Sequence, residues 1–177
     1  MDSIWIAWLF ALFVWWFSTG AILFAVGRAD RHGRKGYINA VVLALPLLVL
    51  GCMGIARSLS DPSVTGVYMA FVSAIMIWGW FELAFLAGVI TGPYARPCPP
   101  GITGWPRFVR AWGTIAYSEM ALIASTFLLI LVSHEAANQV GMWTFVVLFT
   151  ARIAAKINVY LGVPNINEEF LPGPVQH

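Results

Sequence analysis

Four residues carry charge where the surrounding sequence is apolar. Glu82 lies within "IMIWGWFELAFLAG", Glu119 within "GTIAYSEMALIAS", and Arg152 and Lys156 within "FTARIAAKINVY". In hydrocarbon a charge costs at least ~2.5–3.5 kcal/mol, so each of the four needs a partner. Two acids and two bases balance. Arg152 and Lys156 are spaced i, i+4 and share one face of a helix. Ala154 and Ala155 lie between them and permit close helix approach. Asn158 adds an amide a half-turn further on. The expected arrangement pairs Glu82 and Glu119 with Arg152 and Lys156 where three helices meet. Its plainest use is to lock helix register. A polar site for a pigment, a quinone, a proton or a metal is the alternative use of the same layer. Metal ligation is the weakest version, because carboxylate-bridged sites draw on Glu-x-x-His pairs. His32, His134 and His177 all fall outside the apolar runs, which also argues against His-ligated haem or chlorophyll within a bilayer.

The elements that must position these charges follow from composition. The chain has 177 residues, 60% hydrophobic and 10% charged, with a mean hydropathy of +0.80. Soluble domains carry about 25% charged residues, so an all-α integral membrane protein is expected, a single domain over residues 1–177. Five apolar runs are long enough to cross about 30 Å of hydrocarbon. They cover about residues 3–26, 37–56, 67–91, 111–133 and 142–163, with a short tail over 164–177. Pro46 falls inside the second and predicts a kink. No cleavable signal peptide is evident, because "MDS" lacks a positive n-region and the first run is too long. Cys52 and Cys98 form no metal or disulfide pattern and read as small apolar fillers.

Basic residues set the orientation. The first connection holds Arg28, Arg31, Arg34 and Lys35, and the third holds Arg96, Arg107 and Arg110, against Arg57 alone on the other side. The positive-inside rule therefore predicts a periplasmic N-terminus and a cytoplasmic C-terminus. On that frame Glu82, Glu119, Arg152 and Lys156 lie roughly 15, 12, 15 and 9 Å from the cytoplasmic ends of their spans, one common layer. The segment "GWPRFVRAW" sets Trp105, Arg107, Arg110 and Trp112 together. That mixture suits a short stretch lying in the interface before the fourth span, a candidate partner contact, or an ordinary aromatic belt with snorkelling arginines. Trp5, Trp8, Trp15, Trp16, Trp78 and Trp80 are expected mainly as lipid-facing bulk. Ser18, Thr19, Tyr117, Ser118 and Thr150 read as helix glue, bonded to a neighbour or to their own backbone.

The motifs exclude much. There is no Walker sequence, nucleophile elbow, HExxH or Cys/His zinc spacing. A net charge of +2 is too small to indicate nucleic acid. Five spans without an internal repeat fit poorly with inverted-repeat transporters.

Several blocks together resemble a known family: "FVWWFSTGAILF", "WGWFELAFLAGVITGP", "PCPPG" with "RF", "NQVGMWTFVVLF" and "RIAAKINVYLGVPNINEEFLP". They are similar to the PuhE-type photosynthetic complex assembly proteins of purple and related phototrophic bacteria, over nearly the whole chain from Phe13 to Pro172. The resemblance implies a non-enzymatic assembly factor or accessory subunit of the reaction-centre and light-harvesting complex. Its membrane would be the bacterial inner, photosynthetic membrane. Its partners would be lipid and reaction-centre or light-harvesting polypeptides. No intrinsic cofactor is implied, only contact with bacteriochlorophyll, carotenoid, quinone or lipid. A membrane enzyme with a carboxylate site at Glu82 and Glu119, and a small proton-coupled transporter, stand as alternatives. The family pattern places Glu82 in Trp-Gly-Trp-x-Glu, and Arg152, Lys156, Asn158, Asn165, Glu168 and Glu169 in the last block. "YSE" departs from a pattern that often reads Tyr-His-Glu, with Ser118 in the histidine place. Family members continue past "EEFLP" into a His-containing segment, whereas here "GPVQH" follows. A module without both histidines is expected to act through contacts alone, even as a stable subunit.

Overall fold

The computed structural model describes residues 2–94 and 104–160. Among them all regular structure is helical. The helices are α1 (Asp2–Asp30), α2 (Gly33–Leu43), α3 (Leu45–Ser58), α4 (Val64–Leu86), α5 (Trp105–Ser133) and α6 (Val140–Tyr160). By length and composition five spans are long and apolar enough to cross a membrane, α2 and α3 forming one broken span over Gly33–Ser58. The expected residues 161–163 of the fifth span and the tail over 164–177 lie outside the described residues, with Asn165, Glu168, Glu169 and His177. So do Arg96 and Cys98.

The second span is interrupted at Ala44, next to the proline that predicts a kink there. Pro46 sits in the first turn of α3. Proline has no N–H to give and its ring crowds the carbonyl four residues back, which bends or interrupts a helix, while the first turn of a new helix accepts it at low cost. Beside the break, the Val41 carbonyl accepts a hydrogen bond from Trp80 Nε1 at 3.2 Å. The basic connection "GRADRHGRKG" is also shorter than expected. Only Arg31 and His32 form a turn between α1 and α2, because its Arg and Lys residues are good helix formers.

α4 is the hub, packed on α1, α3 and α6. Gly51 on α3 lets the two helix backbones close up. A methyl there would lie 2.8 Å from Ile77 Cγ1 and 2.9 Å from the Ser73 carbonyl oxygen, the small-residue contact that membrane helices use in place of a hydrophobic drive. The main core joins α3 to α6 through Ile55, Ala74, Ile77, Trp78, Leu122, Phe145 and Leu148. Trp78 meets Phe145 edge to face at 5.2 Å between ring centroids. It is therefore a buried core ring and not lipid-facing bulk, because it lies on the α4 face that packs on α6. Trp80 is half-buried, while Trp5, Trp8, Trp15 and Trp16 are exposed as expected of lipid-facing rings. Cys52 is exposed on α3.

The third span ends earlier than its hydropathy predicts. Gly88 has φ +65°, a left-handed residue that stops α4 at Leu86 while apolar sequence continues. The Val89 and Ile90 N–H groups both turn back to the Ala84 carbonyl at 3.0 and 3.1 Å. The chain then runs along α5. The Ser118 N–H donates to the Thr91 carbonyl at 3.0 Å, and the Tyr94 N–H to the Gly113 carbonyl at 3.2 Å. Irregular backbone at membrane depth is tolerated where protein satisfies it in this way.

α5 starts earlier than expected. Pro106 lies in its first turn and the helix continues unbroken to Ser133. The "GWPRFVRAW" stretch is thus helical from Trp105 and continuous with the fourth apolar span, which begins at Phe108. No residue between Phe108 and Ala111 breaks the helix there, and proline is tolerated in its first turn. At the opposite end of the bundle, buried Asn138 ties two connections together. Its side-chain amide donates to the Asp61 carbonyl at 2.9 Å, and its N–H to the Leu59 carbonyl at 3.1 Å.

Candidate functional site

α4, α5 and α6 bring Glu82, Glu119, Arg152 and Lys156 into one cluster. Arg152 is its centre. Its Nε donates to Glu119 Oε1 at 3.2 Å, its Nη1 to Glu82 Oε1, and its Nη2 to Ser118 Oγ at 3.3 Å. Lys156, one turn further along α6, donates to the same Glu119 Oε1. One guanidinium therefore links both acids. A planar fork with five donors in fixed directions suits this role.

Burial is graded across the cluster. The Glu119 side chain is 1% exposed and that of Arg152 9%, against 21% for Glu82 and 26% for Lys156. Glu119 is thus the inner anion, held between two cations, and Glu82 and Lys156 are the outer pair. Glu119 Oε2 has no hydrogen-bond partner among the described residues. A buried pair of this kind is strongly destabilised when one member is removed, because an uncompensated charge remains.

One member went unread in the sequence. Phe85 lays its ring 4.6 Å from the Arg152 guanidinium carbon and 4.8 Å from Lys156 Nζ, a cation–π contact worth more when desolvated. Its signal was the i+3 spacing from Glu82 in "FELAF", which puts both on one face. Ser118, expected to bond to a neighbouring helix or to its own backbone, takes the first course, its hydroxyl accepting from Arg152 on α6. Asn158 does not join the cluster and is exposed on α6. Ser18 and Thr19 both donate to the Trp15 carbonyl at 2.9 Å, and Thr150 to the Val146 carbonyl at 2.9 Å.

The four predicted contact residues lie near the start of α5. Trp105 stacks on Phe108 with 5.1 Å between centroids, and Trp105 and Trp112 are exposed. Arg110 covers the Tyr94 ring at 5.5 Å. The side chain of Arg107 lies outside the described residues. Among the described residues no three of His, Cys, Asp and Glu gather as metal ligands would.

The family model described as "Protein of unknown function (DUF3623)" matches residues 1–177. The chain belongs to the DUF3623 family. It is 48% identical, over 177 residues and all of its own length, to a protein of Rhodobacter capsulatus titled "Uncharacterized 30.4 kDa protein in puhA 5'region". This DUF3623 chain spans 65% of that relative's length. No solved structure matches it.

Proposed function

We propose that this chain is a non-enzymatic assembly factor or accessory subunit of the bacterial photosynthetic apparatus, acting in the inner membrane through helix–helix contacts. The observation that carries this reading is the relative's position. A protein 48% identical to this chain is encoded in the puhA 5′ region, within a purple-bacterial photosynthesis gene cluster. That context supports the PuhE-type resemblance and, with it, reaction-centre or light-harvesting polypeptides as partners.

The site chemistry favours contacts over catalysis. Both carboxylates of the charged cluster are engaged by Arg152 or Lys156. Those ion pairs fix how α4, α5 and α6 meet. The helix with most free surface is α1, which exposes Trp5, Trp8, Leu9, Leu12, Trp16 and Phe24. Large rings and aliphatic side chains of this kind suit lipid or a partner helix. In this reading the basic end, with Arg28, Arg31, Arg34 and Lys35, faces the cytoplasm.

The test is co-purification from a phototrophically grown host in a mild detergent. Reaction-centre or light-harvesting polypeptides and pigment are expected to travel with a tagged chain. Migration of the chain alone, with both complexes present and intact in the same extract, would overturn the proposal.

A further inference from the structure

α1 and α6 both pack on α4, and a cavity of about 430 Å³ lies between them. Its walls are apolar: Ile22 from α1, Ile75 and Trp78 from α4, Leu148 from α6. Its polar lining is the ion-paired group of Glu82, Arg152 and Lys156, with the Ser18 and Thr19 hydroxyls, which donate to the Trp15 carbonyl. Small-molecule sites combine these two features, an apolar body and a few convergent polar groups, in volumes of about 300–1,000 Å³.

The donor inventory at the polar end is incomplete. An ammonium has three N–H donors and a guanidinium five. Among the described residues Lys156 uses one, on Glu119, and Arg152 uses three, on Glu119, Glu82 and Ser118. Phe85 covers part of both cations with its ring face but accepts no ordinary hydrogen bond. Donors left over in a low-dielectric site call for an acceptor, and the unpartnered acceptor of the cluster, Glu119 Oε2, is buried and not on the cavity wall. The charge count defines which kind. Two acids already balance two bases, so an anionic ligand would leave one uncompensated negative charge in the membrane layer, at considerable cost.

We propose that this cavity binds a neutral, carbonyl-bearing amphiphile drawn from the bilayer. Its carbonyl oxygen accepts from Lys156 and Arg152, and its apolar body lies against Ile22, Trp78 and Leu148. The volume holds a single ring or a short length of chain, and the rest of the molecule leaves between α1 and α6 into lipid. This site is independent of the proposed photosynthetic role. It would bind whether or not the chain meets a partner polypeptide.

A long-chain methyl ketone carrying a photoactivatable diazirine tests it on the purified chain in lipid nanodiscs. Crosslinks are expected at the cavity walls of α1, α4 and α6, saturable and competed by the unlabelled ketone. The matching alkane should compete about tenfold less well, the equivalent of one hydrogen bond to a charged donor. The matching carboxylate should also compete less well. Ala151 and Ala155 line the cavity and are exposed, so Ala151→Leu and Ala155→Leu should fill space without displacing packed atoms. Each should cut labelling severalfold, while helical content and elution volume stay unchanged. Equal competition by the alkane would reduce the cavity to an apolar surface and overturn the proposal. Stronger competition by the carboxylate would overturn its neutral-ligand form. Labelling unchanged in both folded variants would place the probe elsewhere and overturn it as well.

Discussion

Arg152 Nε lies 3.2 Å from Glu119 Oε1, deep between α5 and α6, while the Nη1 of the same guanidinium serves Glu82 on α4. Glu119 receives Lys156 too. The two acids are therefore not equivalent, and their amide variants should separate them. Glu119→Gln leaves two cations facing a neutral group in a fully buried place and should cost about 3–5 kcal/mol. Glu82→Gln, on the more open side, should cost clearly less. Thermal unfolding of both variants in detergent measures the order. Equal losses would show that the two carboxylates share the load evenly.

Sharing one arginine between two acids also governs charge exchange. Glu82→Arg alone sets a third cation beside Arg152 and Lys156, and Arg152→Glu alone sets three acids together. The double variant restores an opposite pair between α4 and α6. It also turns the new glutamate toward Glu119, where Arg152 Nε now lies 3.2 Å away. The double should yield more folded protein than either single and less than wild type, measured as monodisperse protein per gram of membrane. Complete recovery would mean that Glu119 does not depend on position 152.

The five spans were legible because hydropathy and length alone decide them, and the four charges because they interrupt apolar runs. Which acid meets which base was not legible, since sequence spacing does not say that one guanidinium serves both. Span ends were read poorly for a physical reason. Val89 and Ile90 are as apolar as the helix before them, and only the left-handed conformation at Gly88 separates them from it. Trp78 and Trp16 have the same composition signal, yet one is a core ring and the other is exposed. The helix face that meets a neighbour decides between them. Pro46 was visible, but the partner that uses a carbonyl beside its break, Trp80, comes from a different helix.

Asn138 should be among the most sensitive polar positions away from the charges. It is buried, its amide holds the Asp61 carbonyl at 2.9 Å, and its Oδ1 accepts from the Val140 N–H at 3.1 Å. Asn138→Ala leaves both backbone groups unpaired, a cost of about 1–3 kcal/mol. Asn138→Asp keeps the acceptor and loses the donor, so it should also destabilise. The check is thermal unfolding of both variants in detergent. A wild-type melting temperature for Asn138→Asp would show that the Asp61 contact contributes nothing.

Gly92 is where the irregular segment after α4 presses on α5. A methyl there would stand 2.8 Å from the Thr114 carbonyl carbon and 2.9 Å from the Ala116 nitrogen. These are backbone atoms that cannot rotate aside. Gly92→Ala should cost about 1–3 kcal/mol as overpacking and weaken the Ser118–Thr91 hydrogen bond. Gly20→Ala, with nothing within 4 Å of the added carbon, should be tolerated and serves as the control. Amide exchange at Ser118 should rise in the first variant only. Equal protection in both would argue that the segment is not held against α5.

A pH effect is expected at the other end of the bundle, outside the spans. Hydrogen bonds from the Ser63 hydroxyl and backbone hold the Asp61 carboxyl below its ordinary carboxylate range, and the Ser63 N–H reaches Asp61 Oδ1 at 2.9 Å. A lowered folded-state pKa means that the ionised form favours the fold. This contribution is complete above the unfolded value near ~3.9 and is lost as pH falls through the lower folded value. The effect stays local, because Asp61 is open to water and screened. The Ser63 amide resonance should therefore titrate below about pH 4, while that of Gly66, which donates to the Ser63 hydroxyl at 3.1 Å, should move less. Asp61→Asn keeps an acceptor oxygen for the turn and removes the titration. If the Ser63 amide titrates unchanged in Asp61→Asn, another carboxyl group controls this turn and the assignment fails.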